Sequence, residues 1–386
     1  MRLVPTNCIK EGSFLAQDLT GRDGRILLKK GVLLNRGLIR RIEENGIYTI
    51  YINDEYSSNE IEDILKPQLR NVAIKTIKDT FEHFAQYSSL LKENGKTLKA
   101  KQTVQKRDQY IQSLNSISKD IVEEILYNKN VMINLVDIKS LDNYTYQHSV
   151  NVAVLSLVLG IELRLNKNEL YDLCIGAILH DLGKTFIPKE IILKNSQLTK
   201  EEFEIIKTHT TKGYEYLSQD YSLPVAAKLI ALQHHERIDG SGYPKGYGGN
   251  DINKLAKIIA ITDVYDAMTS DTSYRKALPP HEAIEFIMGS GGRHFDFVMT
   301  QTFVRKIIPY PVGSLVKLSN KDVAVVEEVH HNYPLRPKVR IIRQSAINVV
   351  MKEVDLMTET NLVIEGIQYE APNVSVPHYL QKRIDE

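Results

Sequence analysis

The stretch Gln233–Gly249, QHHERIDGSGYPKGYGG, gathers two adjacent histidines, Glu236, Asp239 and five glycines around Tyr243-Pro244. Imidazoles and carboxylates are the side chains that ligate divalent ions and carry protons. Neighbouring side chains on a helix diverge by about 100°. The pair His234/His235 therefore suggests a metal ligand plus a neighbouring group, or a site holding more than one ion. Glycines let backbone approach a ligand closely and take up conformations closed to other residues. The run reads as a metal site joined to a substrate loop.

Companions lie on both sides. His148 falls in DNYTYQHSVNVAVLSLVLG, a helix whose apolar side is Val150, Val154, Leu157 and Val158; a lone histidine there is more often a packed core residue than a ligand. In GAILHDLGK an apolar run ends in His180-Asp181 and is broken by Gly183, with Lys184 just outside. Such a carboxylate can bridge two cations while the lysine offsets charge on a phosphate. His209 follows in IIKTHTTKGYEYL on another amphipathic helix, and Asp263 closes the apolar stretch in AKIIAITDVYDAMTSD, where an unpaired carboxylate is costly. Any one of these has a structural explanation. Together, five histidines and two aspartates supply N and O donors without sulfur, a set suited to Fe, Mn, Zn or similar divalent ions rather than calcium.

The elements that must position these residues are mainly α. Residues 131–308 show helical periodicity with short glycine- or proline-bearing loops and form the candidate catalytic domain. Residues 1–58 read as a small α+β module for docking or dimerisation, with a strand-turn pairing at Gly21–Gly31, a helix from Arg36 to Asn45 and a strand at Tyr48–Ile52. Residues 59–130 repeat Ile61, Ile64, Leu65, Val72, Ile74, Ile77, Phe81 and Phe84 at broadly helical spacing, a connector broken near Gly95. His83 there is a surface or packing histidine. Residues 309–386 turn β-rich, with strands in SLVKLSN, DVAVVEEVHH and PKVRIIR; the pair His330/His331 has no carboxylate or glycine loop beside it and reads as strand-end surface.

Composition narrows the class. The formal net charge of +1 argues against bulk-charge binding to a nucleic acid polymer. Cys8 and Cys174 are the two cysteines, too few for a disulfide framework, and a reducing cytoplasm is the natural compartment. The run Val150–Ile161 is about half the ~20 residues a membrane span needs, so no membrane insertion is expected. A homodimer through the helical connector is consistent with the pattern.

The ordered series His148, His180-Asp181 with Gly183-Lys184, His209, His234-His235-Glu236, Asp239-Gly240-Ser241-Gly242-Tyr243-Pro244 and Asp263 resembles the HD-GYP family, a branch of the HD-domain metal-dependent phosphohydrolases. The likeness covers residues 110 to 308, and the HHExxDGxGYP element is highly specific. It implies an all-helical HD-type domain that hydrolyses cyclic di-GMP to linear pGpG, and in some members to GMP, by attack of a metal-bridging hydroxide. It further implies His148, His180, Asp181, His209, His234, His235 and Asp263 as ligands of two divalent ions, Fe or Mn, with Asp181 bridging. Asp181 and Lys184 would be catalytic, Lys184 and Arg275 would hold phosphate, and Tyr243, Gly240 and Gly242 would line the substrate loop. Glu236 and Asp239 would hold the loop's geometry.

Two departures stand out. The family's SDRPYR reads Ser270-Asp271-Thr272-Ser273-Tyr274-Arg275, so Thr272 replaces an arginine, and a third-ion glutamate one turn before the first histidine is Tyr144. A lost charge-assisted contact is worth about 1.5–3 kcal/mol and raises another cyclic dinucleotide, such as cyclic GMP-AMP, as an alternative substrate; a receptor that binds cyclic di-GMP or a protein partner without turnover is the alternative of a different class. Thr272→Arg is expected to lower the Michaelis constant for cyclic di-GMP more than it changes turnover. Steady-state kinetics giving an unchanged or higher Michaelis constant would place Thr272 off the substrate path.

Overall fold

Several helix starts in the central region are set by side-chain caps. Asn166 accepts from the backbone of Asn168 and Glu169 while Glu169 reaches back to the Asn166 N–H, a reciprocal cap that opens the helix Lys167–Leu179. Thr199 and Glu202 do the same for Lys200–Lys207, and Asn253 caps Lys254–Thr269. The computed structural model describes residues 1–20, 26–47, 49–57, 64–93, 98–128, 144–194, 196–270, 277–330, 332–344 and 349–372.

The fold is mainly α, with small sheets near each end. At its centre runs the helix Tyr144–Glu162, packed on Lys167–Leu179, on Lys254–Thr269 and on the long helix Pro67–Glu93. Val150, Val152, Val154, Leu155, Leu157 and Leu159 are all buried, so this helix is apolar all round rather than on the single side expected. Two of its polar groups are paired inside the bundle: Ser156 Oγ lies 2.7 Å from Thr262 Oγ1, and Asn151 Nδ2 donates to Asp266 Oδ1 at 3.0 Å, both on the neighbouring helix. Among the described residues no helix is long and apolar enough to cross a membrane.

The helices Pro67–Glu93 and Leu98–Tyr127 join this same core. Ile77, Phe81 and Phe84 from the first and Ile117, Ile121 and Ile125 from the second belong to one apolar cluster with Val150 and Leu157. Phe81 meets Tyr146 edge to face at 5.9 Å, and His83 stacks on Tyr110 at 4.5 Å. Gly95 lies outside the described residues.

Near the start, the strands Arg2–Pro5 and Phe14–Leu15 flank Thr49–Asn53 in an antiparallel sheet, and Leu19–Thr20 pairs with Ile26–Leu28. The helix Arg36–Glu44 is capped by Asn35 and closes at Asn45, with Gly46 at φ 75°. Towards the end, five antiparallel strands run in the order Ile364–Ile367, Leu315–Leu318, Val323–Glu328, Lys338–Gln344, Val349–Asp355. Val316, Leu318, Ala324, Val326, Val339 and Ile341 alternate onto one face to form its core. His330 pairs with Asp355 at 3.0 Å, whereas His331 lies outside the described residues. The two end modules touch. Arg2 donates to the Tyr369 carbonyl at 2.9 Å, and Tyr56, Leu315 and Ile342 share an apolar cluster.

Because Phe81 is buried in the central cluster, Phe81→Ala is expected to cost about 3–5 kcal/mol of stability. Denaturant unfolding that shows a loss below about 1 kcal/mol would mean the long helix is not part of the core.

Candidate metal centre

Five elements deliver seven side chains to one buried point. His148 comes from the central helix; His180 caps the C-terminus of Lys167–Leu179 and Asp181 follows it. His209 opens the helix His209–Ser218, because the helix Lys200–Lys207 ends at Thr208 instead of running on through it. His234 is the C-cap of Val225–Gln233, and His235 lies beyond the helix end. Asp263 sits in the interior of Lys254–Thr269. The helix end at Gln233 also releases His234 and His235 from the divergence expected of neighbours on one helix; His234 Nε2 lies 3.9 Å from Asp181 Oδ1 and His235 Nδ1 3.9 Å from Asp263 Oδ2.

The donor atoms fall into two sets, Asp181 with His209, His234 and His235, and His148 with His180 and Asp263; within each set they lie within 4.8 Å of one another. Asp181 faces both. Its Oδ1 is 3.5 Å from His209 Nε2 and 3.9 Å from His234 Nε2, while its Oδ2 is 3.3 Å from His180 Nε2 and 3.8 Å from His148 Nε2.

Hydrogen bonding decides which ring nitrogens are bare. His180 Nδ1 lies 2.7 Å from the Ala177 carbonyl, His209 Nδ1 2.7 Å from that of Ile206, and His234 Nδ1 3.0 Å from that of Ile230. A carbonyl only accepts, so each Nδ1 carries the proton and each Nε2 presents a lone pair. His209 Nε2 and His234 Nε2 then face each other at 3.3 Å as two acceptors, an arrangement that a cation between them would satisfy. His180 Nε2 and Asp181 Oδ1 are buried with no hydrogen-bond partner among the described residues. The set fits divalent ions bound through nitrogen and oxygen.

Electrostatics point the same way. Burial pushes His209 down to about 4 and His235 down to about 3, and burial with the neighbouring imidazoles holds His234 well below its ordinary value. All three are therefore neutral near pH 7, as ligands must be. Burial opposes charge on Asp181, yet Lys184 and His180 hold its carboxyl well below the usual carboxylate range. His148 is the exception: burial works against its charge, but Asp263 and Asp266 outweigh it and raise the imidazole to about 10.

Lys184 Nζ is 2.5 Å from Asp181 Oδ2, on a short turn at Leu182–Phe186. That turn lies directly on the His209 helix, and a Cβ at Gly183 would overlap the His209 backbone. In the glycine loop, Gly240 and Gly246 have φ of 78° and 69°, and a Cβ at Gly242 would stand 2.5 Å from Glu236 Cα. Buried Glu236 accepts from Lys245 N at 2.8 Å and Tyr247 N at 3.0 Å, tying the loop to the metal side. Asp239 accepts from Ser241 N and Oγ at 3.0 and 2.6 Å. The Tyr243 ring lies 4.7 Å from that of His235, with a cis peptide to Pro244. Lys207 Nζ stands 5.0 Å from the Phe203 ring centre and 5.5 Å from that of Tyr243. Thr272 and Arg275 lie outside the described residues.

Sequence reasoning passed over Asp266, which accepts from His148 Nδ1 at 2.7 Å, and the Phe203/Lys207 pair beside Tyr243. Asp266 carried a legible signal: it lies three residues after Asp263, on the same helix face in an apolar stretch. Phe203 and Lys207 carried none beyond helical spacing.

Residues 130–298 match the family model described as HD domain, and residues 315–370 match one described as KOW domain associated with HD domain. The Cyclic di-GMP phosphodiesterase PA4108 of Pseudomonas aeruginosa is 37% identical over 243 residues, 61% of this chain and 58% of that protein. The Cyclic di-GMP phosphodiesterase PdeB of Borreliella burgdorferi is 32% identical over 200 residues, 52% of each chain. The 3'3'-cGAMP-specific phosphodiesterase 1 of Vibrio cholerae is 38% identical over 166 residues, 43% of this chain and 38% of that protein. The chain thus spans about half the length of the first two relatives.

Gly183 is where the Asp181–Lys184 turn touches the His209 helix, so Gly183→Ala is expected to separate the two donor sets. Elemental analysis should show metal content per chain cut by half or more, with helical circular dichroism retained. Full metal content would show that this close approach is not needed.

Proposed function

We propose that this HD-domain chain is a metal-dependent phosphodiesterase that hydrolyses cyclic di-GMP to linear pGpG. The observation that carries the reading is the Asp181 carboxylate, whose two oxygens face two separate sets of nitrogen donors at 3.5 and 3.3 Å. His209, His234 and His235 would hold one divalent ion, His148, His180 and Asp263 the other, with Asp181 shared; Fe or Mn suits the donors. Ions bound there supply Lewis acidity, activating water near neutral pH and offsetting charge on phosphoryl oxygens.

The chain's own residues do the rest. The carbonyls of Ala177, Ile206 and Ile230 keep the proton of each imidazole on Nδ1, so three Nε2 lone pairs stay aimed at the centre. Lys184 is a third exposed, and its ammonium reaches from Asp181 towards the phosphate that is to be cleaved. Water adds at phosphorus, the P–O3′ bond breaks, and the 3′ oxygen leaves with a proton. Tyr243, standing on His235 beside Phe203 and Lys207, offers a flat face and a cation to a guanine, and the backbone of Gly240 and Gly242 lets the ligand come close. Arg275 would hold a phosphate as a charged fork. Pairing of two chains through the connector helices would place two such sites in one particle.

A second cyclic dinucleotide, 3′3′-cyclic GMP-AMP, is the alternative substrate, favoured by Thr272 at a position where the resemblance leads one to expect arginine. Protein loaded with Mn or Fe is expected to convert cyclic di-GMP to the linear product, and His180→Ala to lower the rate by about a hundredfold or more. Absence of any linear product with either metal would sink the enzyme reading. Faster turnover of cyclic GMP-AMP would reassign the substrate, and undiminished activity in His180→Ala would displace the site.

A further inference from the structure

Arg70 lies in the first turn of the helix Pro67–Glu93, outside the five elements that supply the ligands. Its guanidinium donates to Asn151 Oδ1 at 2.9 Å. Asn151 Nδ2 donates to Asp266 Oδ1 at 3.0 Å, and Asp266 Oδ2 accepts from His148 Nδ1 at 2.7 Å. Asn151, Asp266 and His148 are all buried. Ser270, next to the phosphate-side segment, also donates towards Asp266 Oδ2 at 3.3 Å.

The polarity of this row admits one arrangement. Guanidinium has donors alone, so the atom of Asn151 that meets Arg70 must be its oxygen. The amide nitrogen is thereby turned towards Asp266, whose ionised carboxylate only accepts. Asp266 in turn fixes the proton of His148 on Nδ1 and the tilt of the ring, leaving Nε2 to the metal side, 3.0 Å from Asp263 Oδ1. Without Arg70 the Asn151 nitrogen still faces Asp266, but the amide oxygen loses its charged donor and the side chain is held at one end only. Asn151, Asp266 and the His148 ring can then shift together.

We propose that Arg70 is a positioning residue for the metal ligand His148, acting through Asn151 and Asp266, and that it tunes the affinity of the His148–His180–Asp263 ion alone. The proposal rests on the two-ion reading of the site. It also ties that ion to a helix which begins just beyond the N-terminal module. Outer partners of ligating histidines change metal affinity by about 10–100-fold when removed. Since Arg70 acts at two removes, a change near the lower end is expected.

The test is titration of the full chain, stripped by chelation, with Mn(II), following free Mn(II) by electron paramagnetic resonance. Wild type should show two binding steps. In Arg70→Met one step should weaken about tenfold while the other stays within twofold; Asp266→Asn should weaken the same step at least as much, and Arg70→Lys should fall between Met and wild type. Two wild-type-like steps in Arg70→Met, or equal weakening of both, overturns the role of Arg70. Should Arg70→Met fail to fold, the Lys variant decides by the same criterion, a loss confined to one step. A wild-type chain that takes up no Mn(II) fails the two-ion reading itself, a result distinct from any failure of Arg70.

Discussion

A single buried carboxylate organises this molecule. Asp181 is almost fully enclosed, and an ionised carboxylate in such a place survives only with positive charge close by. Lys184 provides one partner at 2.5 Å. His209 and His234 beside its other oxygen are neutral imidazoles with their lone pairs turned inwards, which repel rather than satisfy it. The arrangement is therefore complementary to cations, and each surrounding helix end is placed to keep it so.

The scaffold serves that geometry through three devices. Helix C-termini offer carbonyls at Ala177, Ile206 and Ile230 that take up the Nδ1 protons of the histidines beside them. Gly183 lets one turn lie against the backbone of His209, bringing the two donor sets within reach of one carboxylate. The apolar central helix, buried on every side, fixes His148 through its neighbours rather than through its own termini. Glu236 accepts with both carboxylate oxygens from the backbone of the glycine loop, tying Lys245 and Tyr247 to the segment that carries His234 and His235.

How much of this could be read from the chain follows from how local each signal is. The seven donor residues stood out because their types recur beside helix ends and glycines, and the structure gathers all seven. The helix stop at Asn45-Gly46 and the alternating C-terminal strands were equally local. Which donors belong together was not legible, since it depends on contacts between helices far apart in sequence. His234 and His235 read as a ligand plus a neighbouring group or as a site for more than one ion; the helix end at Gln233, which lets both turn inwards, was not legible. Asp263 read as a costly carboxylate ending an apolar stretch, but the sequence did not show its partner, His148, 3.0 Å away on another helix. The long connector helices read as packing on their neighbours, and Phe81, Phe84 and Ile121 do join the core; their periodicity gave the buried face but not what it meets.

The shared carboxylate is tested most directly by the magnetic state of the Mn(II)-loaded protein. Two ions on either side of Asp181 should appear as an exchange-coupled pair in electron paramagnetic resonance, with two equivalents of metal per chain, and Asp181→Asn should remove the coupling. One ion per chain, or two ions with uncoupled signals in the wild type, would contradict a site built around that bridge.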